Sequence, residues 1–559
     1  MSYFQEDKSK RKLELLKKRE EEDSVKILSQ KYKIPYADLT IFPIETDAIK
    51  MVDENKARGA ELIVFQTTGR NLKIGVRNPE KQEVKIVLKK LAEERYSYDL
   101  FLVSRLSLEH AWGFYKKIPD EHSVSAGTIE IQNTLLATFK KEGANLTQVK
   151  ERVEKTFLGK TTEALEIILA GALNTDASDV HIEPEKETTR LRFRLDGALH
   201  DVTRLPPKLY SLLLSRIKLL SELKLNIKDR AQDGRFTIKI GHDGQALDIE
   251  VRTSVLPGPH GENIVLRILN PKSIEVSFEK LGMQPWIVAL MEKELKKPNG
   301  MILTTGPTGS GKTTSLYAFL KKIHEPEIKI ITIEDPIEYN LTGIEQTQVE
   351  TEAGYGFANG LRSILRQDPD VILVGEIRDL ETAETAMHAA LTGHLVFSTL
   401  HTNDAAGTIP RLIDLGVKPT IIAPAINISM AQRLVRKLCQ DCRVEFKPTA
   451  EELTKIQKGL AGFPKNVDVP DRQEWTLFQT SKNGCATCNH IGYKGRIGIF
   501  ELILINEEVE RLILKDPSEF EIKKAARNQG QITLWQDGLL KVLAGMTDFA
   551  ELEKVMGSN

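Results

Sequence analysis

The chain lacks most of what marks a secreted, membrane-spanning or nucleic-acid-binding protein. Only four of its 559 residues are cysteines, in two pairs: "CQDC" at Cys439 and Cys442, and "CATC" at Cys485 and Cys488. So few thiols in so large a chain do not suggest a disulfide framework. No uninterrupted apolar run approaches the ~18 residues that a membrane-spanning helix needs. The opening "MSYFQEDKSKRKLELLKKREEE" has no apolar stretch and does not read as a secretory signal. The formal net charge is -1, and no basic or aromatic stripe is present, which argues against a general nucleic-acid binder. There is no internal repeat and no long low-complexity segment. A cytoplasmic protein is expected, meeting a membrane only through partners.

Hydrophobic residues make up 41% of the chain, enough for several packed cores, and the length suggests about three or four domains. Residues 1–22 mix both charge signs and read as a charged helix or tail. Residues 23–119 carry a small α/β pattern. In it, "AELIVFQTTGRNLKIGVRNP" predicts two strands, "QEVKIVLKKLAEERY" a helix and "DLFLVSRL" a further strand. Residues 120–160 are polar and read as a linker with a helix. Over 161–272, alternation in "SDVHIEPEKETTRLRFRLDGALHDV" predicts paired strands, and "PKLYSLLLSRIKLLSELKL" an amphipathic helix, making an α+β domain. Residues 273–437 alternate strand and helix, the pattern of a mostly parallel sheet covered on both faces. Residues 438–502 hold the cysteines, and 503–559 read as helices.

The strongest motif is "GPTGSGKT": Gly306, Pro307, Thr308, Gly309, Ser310, Gly311, Lys312 and Thr313, with Thr314 following. It fits a phosphate-binding loop between a strand and a helix. Backbone N–H groups and the helix N-terminus suit ATP phosphates. Lys312 is expected to reach the β- and γ-phosphates, and the Thr313 hydroxyl to hold magnesium. Two acidic clusters follow at strand ends: Glu334, Asp335 and Glu338 in "IITIEDPIEY", then Glu376 and Asp379 in "VILVGEIRD". Strand ends in such sheets face the ligand crevice, whereas isolated acids are usually solvated. Gly375 stands where an aspartate would often hold magnesium. Glu376 is then the candidate to polarise the attacking water. His394 and His401 bracket the strand in "TGHLVFSTLHTNDA" and could contact the γ-phosphate or report its presence to another domain. Either could equally be structural. The paired Cys-x-x-Cys knuckles suit a closed tetrahedral zinc site. A redox pair is the alternative, but two pairs without a thioredoxin-like pattern favour zinc.

Together these motifs resemble the secretion superfamily ATPases of type II secretion and type IV pilus assembly. "ASDVHIEP", "QDGR", "QRLVRKLC" and "GYKGRIGIFEL" extend the resemblance over roughly Thr161 to Gly557. It implies an α/β fold: a P-loop (RecA-like) ATPase domain preceded by an α+β PAS-like domain, with a zinc-binding tetracysteine subdomain and a small N-terminal α/β module. The glycine-bearing strand end is normal in that family, and the catalytic-base role carries onto Glu376. The acidic box carries onto Glu334, Asp335 and Glu338, and the histidine box onto His394 and His401. The resemblance also implies a homohexamer in which the α+β domain supplies arginines to the nucleotide, here Arg235 and Arg252, with Arg230 and Arg267 as second choices. A surface ion pair is the plainer role for any one of them.

Pilus retraction ATPases usually lack the metal-binding subdomain and carry an "AIRNLIRE"-like signature that is missing here. Type IV pilus assembly is therefore expected, with type II secretion as the alternative and a nucleic-acid translocase or a non-hydrolysing scaffold as rivals of other classes. Expected partners are an inner-membrane platform protein and a cytoplasmic ring component. Cyclic di-GMP control is not expected, since residues 1–119 hold no paired motif beginning "RLG".

Overall fold

The computed structural model describes residues 21–557 apart from 43, 50, 69–70, 94–95, 116–126, 142–144, 158–160, 242–246, 272–275, 462, 465–466, 468–474 and 516. Most of the expected charged tail lies outside these residues. The chain divides into two units, Met1–Val124 and Ser125–Asn559.

In the first unit, β1 (Leu62–Thr68) pairs antiparallel with β2 (Asn71–Val76), which pairs parallel with β3 (Ser97–Leu102). Alternation divides the apolar side chains between the two sheet faces. Leu62, Val64, Leu72 and Ile74 pack with Val84, Leu88 and Leu91 of the helix Gln82–Glu93. Ile63 and Phe65 pack with Leu108 and Trp112 of the helix Arg105–Trp112.

The second unit opens with a seven-stranded sheet ordered β4-β8-β9-β10-β5-β6-β7. Its strands are β4 (Thr128–Ile131), β5 (Asp179–Pro184), β6 (Thr189–Leu195), β7 (Ala198–Leu205), β8 (Gln232–Ile240), β9 (Leu247–Gly258) and β10 (Gly261–Leu269). All pairings are antiparallel except β4 with β8. Alternate residues of "TRLRFRL" in β6 are buried, as a sheet with one covered face requires. Asp196 and Gly197, both at positive φ, make the two-residue turn from β6 to β7.

Within the stretch read as a linker lie β4 and the helices Asn133–Lys141 and Leu146–Lys155. Only Ile129 and Ile131 face inward from β4, and only Val149 and Val153 are buried on the second helix. So few apolar residues explain why the composition reads as a linker.

A second seven-stranded sheet follows, ordered β13-β12-β14-β15-β11-β16-β19. It comprises β11 (Gly300–Thr305), β12 (Ile330–Glu334), β13 (Glu345–Gln348), β14 (Val371–Val374), β15 (Leu395–Leu400), β16 (Ile426–Leu438) and β19 (Tyr493–Leu504). All pairings are parallel except β16 with β19. β11, β14 and β15 are buried at every position, the mark of strands covered on both faces. Ile372 and Val374 join one apolar cluster, Val371 and Leu373 the other.

The cysteines lie between β16 and β19, in an excursion that includes the small pair β17 (Val444–Phe446) and β18 (Leu477–Gln479). "YKGRIGIFEL", placed with the cysteines by sequence, thus forms a strand of the large sheet. Among the described residues no helix is long and apolar enough to cross a membrane.

Candidate nucleotide site

Parallel strands put the ends of β11, β15, β14 and β12 side by side at one edge of the sheet, where ligands of such folds bind. The phosphate loop leaves β11 at Gly306, whose φ is +147. A Cβ there would lie 2.5 Å from the Gln432 carbonyl oxygen, so only glycine fits. Gly311 caps the helix Lys312–Ile323 without a side-chain acceptor, which leaves the first helical N–H groups available to an anion. Thr313 and Thr314 lie half-buried in its first turn, while Pro307, Thr308 and Gly309 are exposed. Lys312 Nζ donates to Gly306 O at 2.8 Å and Pro307 O at 3.3 Å. Burial lowers its pKa, and Glu376 acts in the opposite direction. Ser310 Oγ and Gln432 Oε1 are buried beside the loop without hydrogen-bond partners, as suits a site that closes on a polar ligand.

Glu376, two residues past β14, is 16% exposed and pairs with the Arg378 guanidinium. His401, one residue past β15, holds Nε2 3.4 Å from the other Glu376 oxygen. The backbone N–H of Thr402 donates to Thr305 Oγ1 at 2.8 Å, which ties the His401 loop to the end of β11. Gly375 donates to Ile333 O at 2.8 Å. A Cβ on it would stand 3.2 Å from that oxygen and 3.3 Å from Glu334 Cα. A side chain at 375 would stand tight against the β12 backbone, and glycine relieves that contact.

The other acids divide. Asp335 is exposed and 3.7 Å from Arg378. Glu338 lies 3.6 Å from Arg252 Nη1. Glu334, expected to face the phosphates, instead turns into the protein. Its oxygens accept from Tyr317, Thr332 and Gln346. Asp379, expected in the crevice, caps the helix Leu380–Leu391, accepting from Thr382 N at 2.8 Å. Asp379→Ala should therefore cost about 1 kcal/mol of stability and leave ATP turnover unchanged, as denaturant unfolding and a phosphate-release assay would measure.

His394 also departs from expectation. It precedes β15, so it sits at the opposite end of a six-residue strand from His401, about 20 Å away. Its Nδ1 lies 3.0 Å from Ala389 O, and its carbonyl accepts from Gly300 N. It joins helix to strand and does not reach the phosphate loop of its own chain.

Arg235, Arg252 and Arg267 are direct neighbours in register across β8, β9 and β10, so they share one sheet face. They line a cleft of about 840 Å³ whose other wall is the acidic-box segment Pro336–Asn340. Arg252 crosses it, donating to Ile337 O and pairing with Glu338. Arg267 pairs with Asp179 at 3.1 Å. Arg230 does not line this cleft, nor do Lys312 and Glu376.

The four cysteine sulfurs lie within 4.8 Å of one another. Cys439 and Cys485 are 3.7 Å apart, and Cys442 and Cys488 3.8 Å. Zinc–sulfur bonds of 2.3 Å in a tetrahedron place sulfurs roughly 3.8 Å apart, so the cluster fits zinc. Backbone N–H groups of Cys485 and Gly492 each approach Cys488 Sγ at 3.2 Å, as they would a thiolate.

Sequence reasoning missed Arg378, two residues from Glu376 in the same motif, and Gln432, inside a motif already noted. For Tyr317 no sequence signal existed, since it sits among apolar helix residues.

A phosphate loop at the end of a buried parallel strand, with a carboxylate and a histidine converging beside it, defines a P-loop ATPase. Residues 154–554 match the family described as "Type II/IV secretion system protein", and the chain belongs to that family. It is 41% identical to the type II secretion system protein E of Aeromonas hydrophila, over 77% of this chain and 86% of that one. It is 36% identical to the type IV pilus assembly ATPase PilB of Myxococcus xanthus, over 96% and 91%. In fold it is similar to the ATPase DotB of Yersinia pseudotuberculosis, with a TM-score of 0.52 at 19% identity, over 70% of this chain and 93% of that one.

Proposed function

We propose that this ATPase is a homohexameric motor that powers type IV pilus assembly from the cytoplasmic face of the inner membrane. It would act there on a platform protein and a cytoplasmic ring component. The observation that carries the motor reading is the arginine row poised across a cleft from the acidic box of the ATPase sheet. Two lobes that already touch through Arg252 and Glu338 can close and reopen with the state of the nucleotide.

In this reading Lys312 and the loop N–H groups bind the phosphates. Glu376 takes the proton of the attacking water, and His401 holds Glu376 from the side. Asp335 and Glu338 orient the crevice. Arg235 and Arg252 meet the developing charge when the lobes close. Magnesium, when bound, neutralises phosphate charge, and Thr313 is the residue to hold it. Cys439, Cys442, Cys485 and Cys488 hold structural zinc.

Pilus assembly is favoured over type II secretion because the likeness to a pilus assembly ATPase runs over nearly the whole chain, the first unit included. Deleting the gene should remove surface pili and spare secretion of folded enzymes. A Lys312→Ala copy should fail to restore pili. Loss of secretion with pili intact would select the type II reading.

A further inference from the structure

Tyr317 is buried on the helix that begins at Lys312. Its hydroxyl donates to one oxygen of Glu334. The other oxygen accepts from Thr332 Oγ1 at 2.6 Å and from Gln346 Nε2 at 3.2 Å. Gln346 also holds the segment that follows: its Nε2 donates to Tyr339 O at 3.2 Å, and its Oε1 accepts from Leu341 N at 2.7 Å. The Tyr317 and Tyr339 rings meet edge to face, 4.7 Å between centroids. Burial raises the pKa of both Glu334 and Tyr317.

The segment Asp335–Leu341 is thus held at both ends by one buried block, and its middle, Ile337 and Glu338, is what Arg252 grips. On the helix, the flanking Leu316, Ala318, Phe319 and Leu320 are apolar and buried. A phenylalanine at 317 would pack as well as tyrosine. Among the described residues, the hydroxyl is the one group of this helix that hydrogen-bonds Glu334.

We propose that Tyr317 is a positioning residue that couples the phosphate-loop helix to the acidic segment Asp335–Leu341 and, through it, to Arg252. Lys312 and Tyr317 ride on one rigid helix less than two turns apart. A shift of its first turn on binding phosphate is therefore carried to Glu334. From there it passes to the loop that the other lobe holds. Close packing around the block leaves little slack. The proposal rests on the ATPase reading of the site.

Tyr317→Phe keeps the ring and removes the donor. It should lower kcat for ATP hydrolysis about ten-fold with KM for ATP within about two-fold, and leave the thermal midpoint within a few degrees. The decisive measurement is a double-mutant cycle with Arg252→Ala. If Tyr317 acts through the segment Arg252 grips, adding Tyr317→Phe to Arg252→Ala costs less than about two-fold more. If the tyrosine only supports the fold, the two losses multiply, and the proposal is overturned. An unchanged kcat in Tyr317→Phe overturns it too. Gln346→Leu, which releases the same segment from its other side, should give the same kcat loss and the same non-additivity. Wild-type turnover, and its loss in Glu376→Gln, test the ATPase reading separately, so a failure confined to the cycle falls on Tyr317 alone.

Discussion

Glu376→Gln is expected to lower kcat by about 10²–10⁴-fold while nucleotide affinity stays within a few-fold. Glutamine has the same shape: its one oxygen can accept from Arg378 while its amide N–H faces His401 Nε2, so the cluster keeps its outline. What disappears is a carboxylate able to take a proton from water. Among the described residues, the other acids of the two motifs are engaged, Glu338 with Arg252. Glu334 is committed to Tyr317, Thr332 and Gln346. Asp379 is committed to its helix. Asp335 is exposed, beside Arg378. Steady-state phosphate release would give kcat, and titration with a fluorescent ATP analogue would give affinity. Turnover within three-fold of wild type would mean that the base lies elsewhere. The glycine before Glu376 does not weaken this expectation. Gly375 is packed against the β12 backbone, and phosphoryl transfer asks the protein mainly for positioning and charge stabilisation.

The second large effect concerns the cysteines. Purified protein should carry one zinc per chain. Stripping it with a chelator, or making Cys485→Ser, should lower the first thermal transition by on the order of 10 °C and open residues 439–492 to protease. Four sulfurs held this close would repel one another as thiolates without a cation. The excursion they close is long. Its neck is fastened by the bond from Cys439 N to Gly492 O at 2.9 Å and by the pairing of Leu438 with Tyr493. The large sheet should outlast the metal, because β16 and β19 bury their own apolar residues in both of its clusters. Acid should act in the same direction as the chelator, since each ligand must lose a proton to bind. Metal analysis and limited proteolysis would check this. Metal-free protein with unchanged melting and protease resistance would remove zinc from the account.

Much of the site is legible in the chain alone. The phosphate loop is a local motif whose spacing carries its chemistry. The apolar runs of β11, β14 and β15 announce strands covered on both faces. The Cys-x-x-Cys knuckles predict a cluster that the fold then closes over a long excursion. Legibility ended where direction mattered. Glu334 and Asp335 are adjacent, yet Glu334 is the last residue of a strand buried on both faces and enters a hydrogen-bonded block, while Asp335 lies past the strand end and is exposed. His394 and His401 look equivalent in the sequence, since both flank β15, but a strand separates its two ends by its whole length. Asp379 carries the charge of a site residue and the position of a helix cap, and only its contact with Thr382 decides between them.

Short-range spacing along the chain set the class of chemistry: a phosphate-binding loop, a candidate base two residues past a buried strand, and four thiols in two knuckles. These depend on spacing over a few residues, which the covalent chain imposes. The fold decided which acids serve the crevice, and that arginines on three successive strands stand side by side. It also decided that Tyr317 reaches the acidic box. Those facts depend on which strands pair and which faces pack, and the register of a sheet brings together residues that the chain keeps distant.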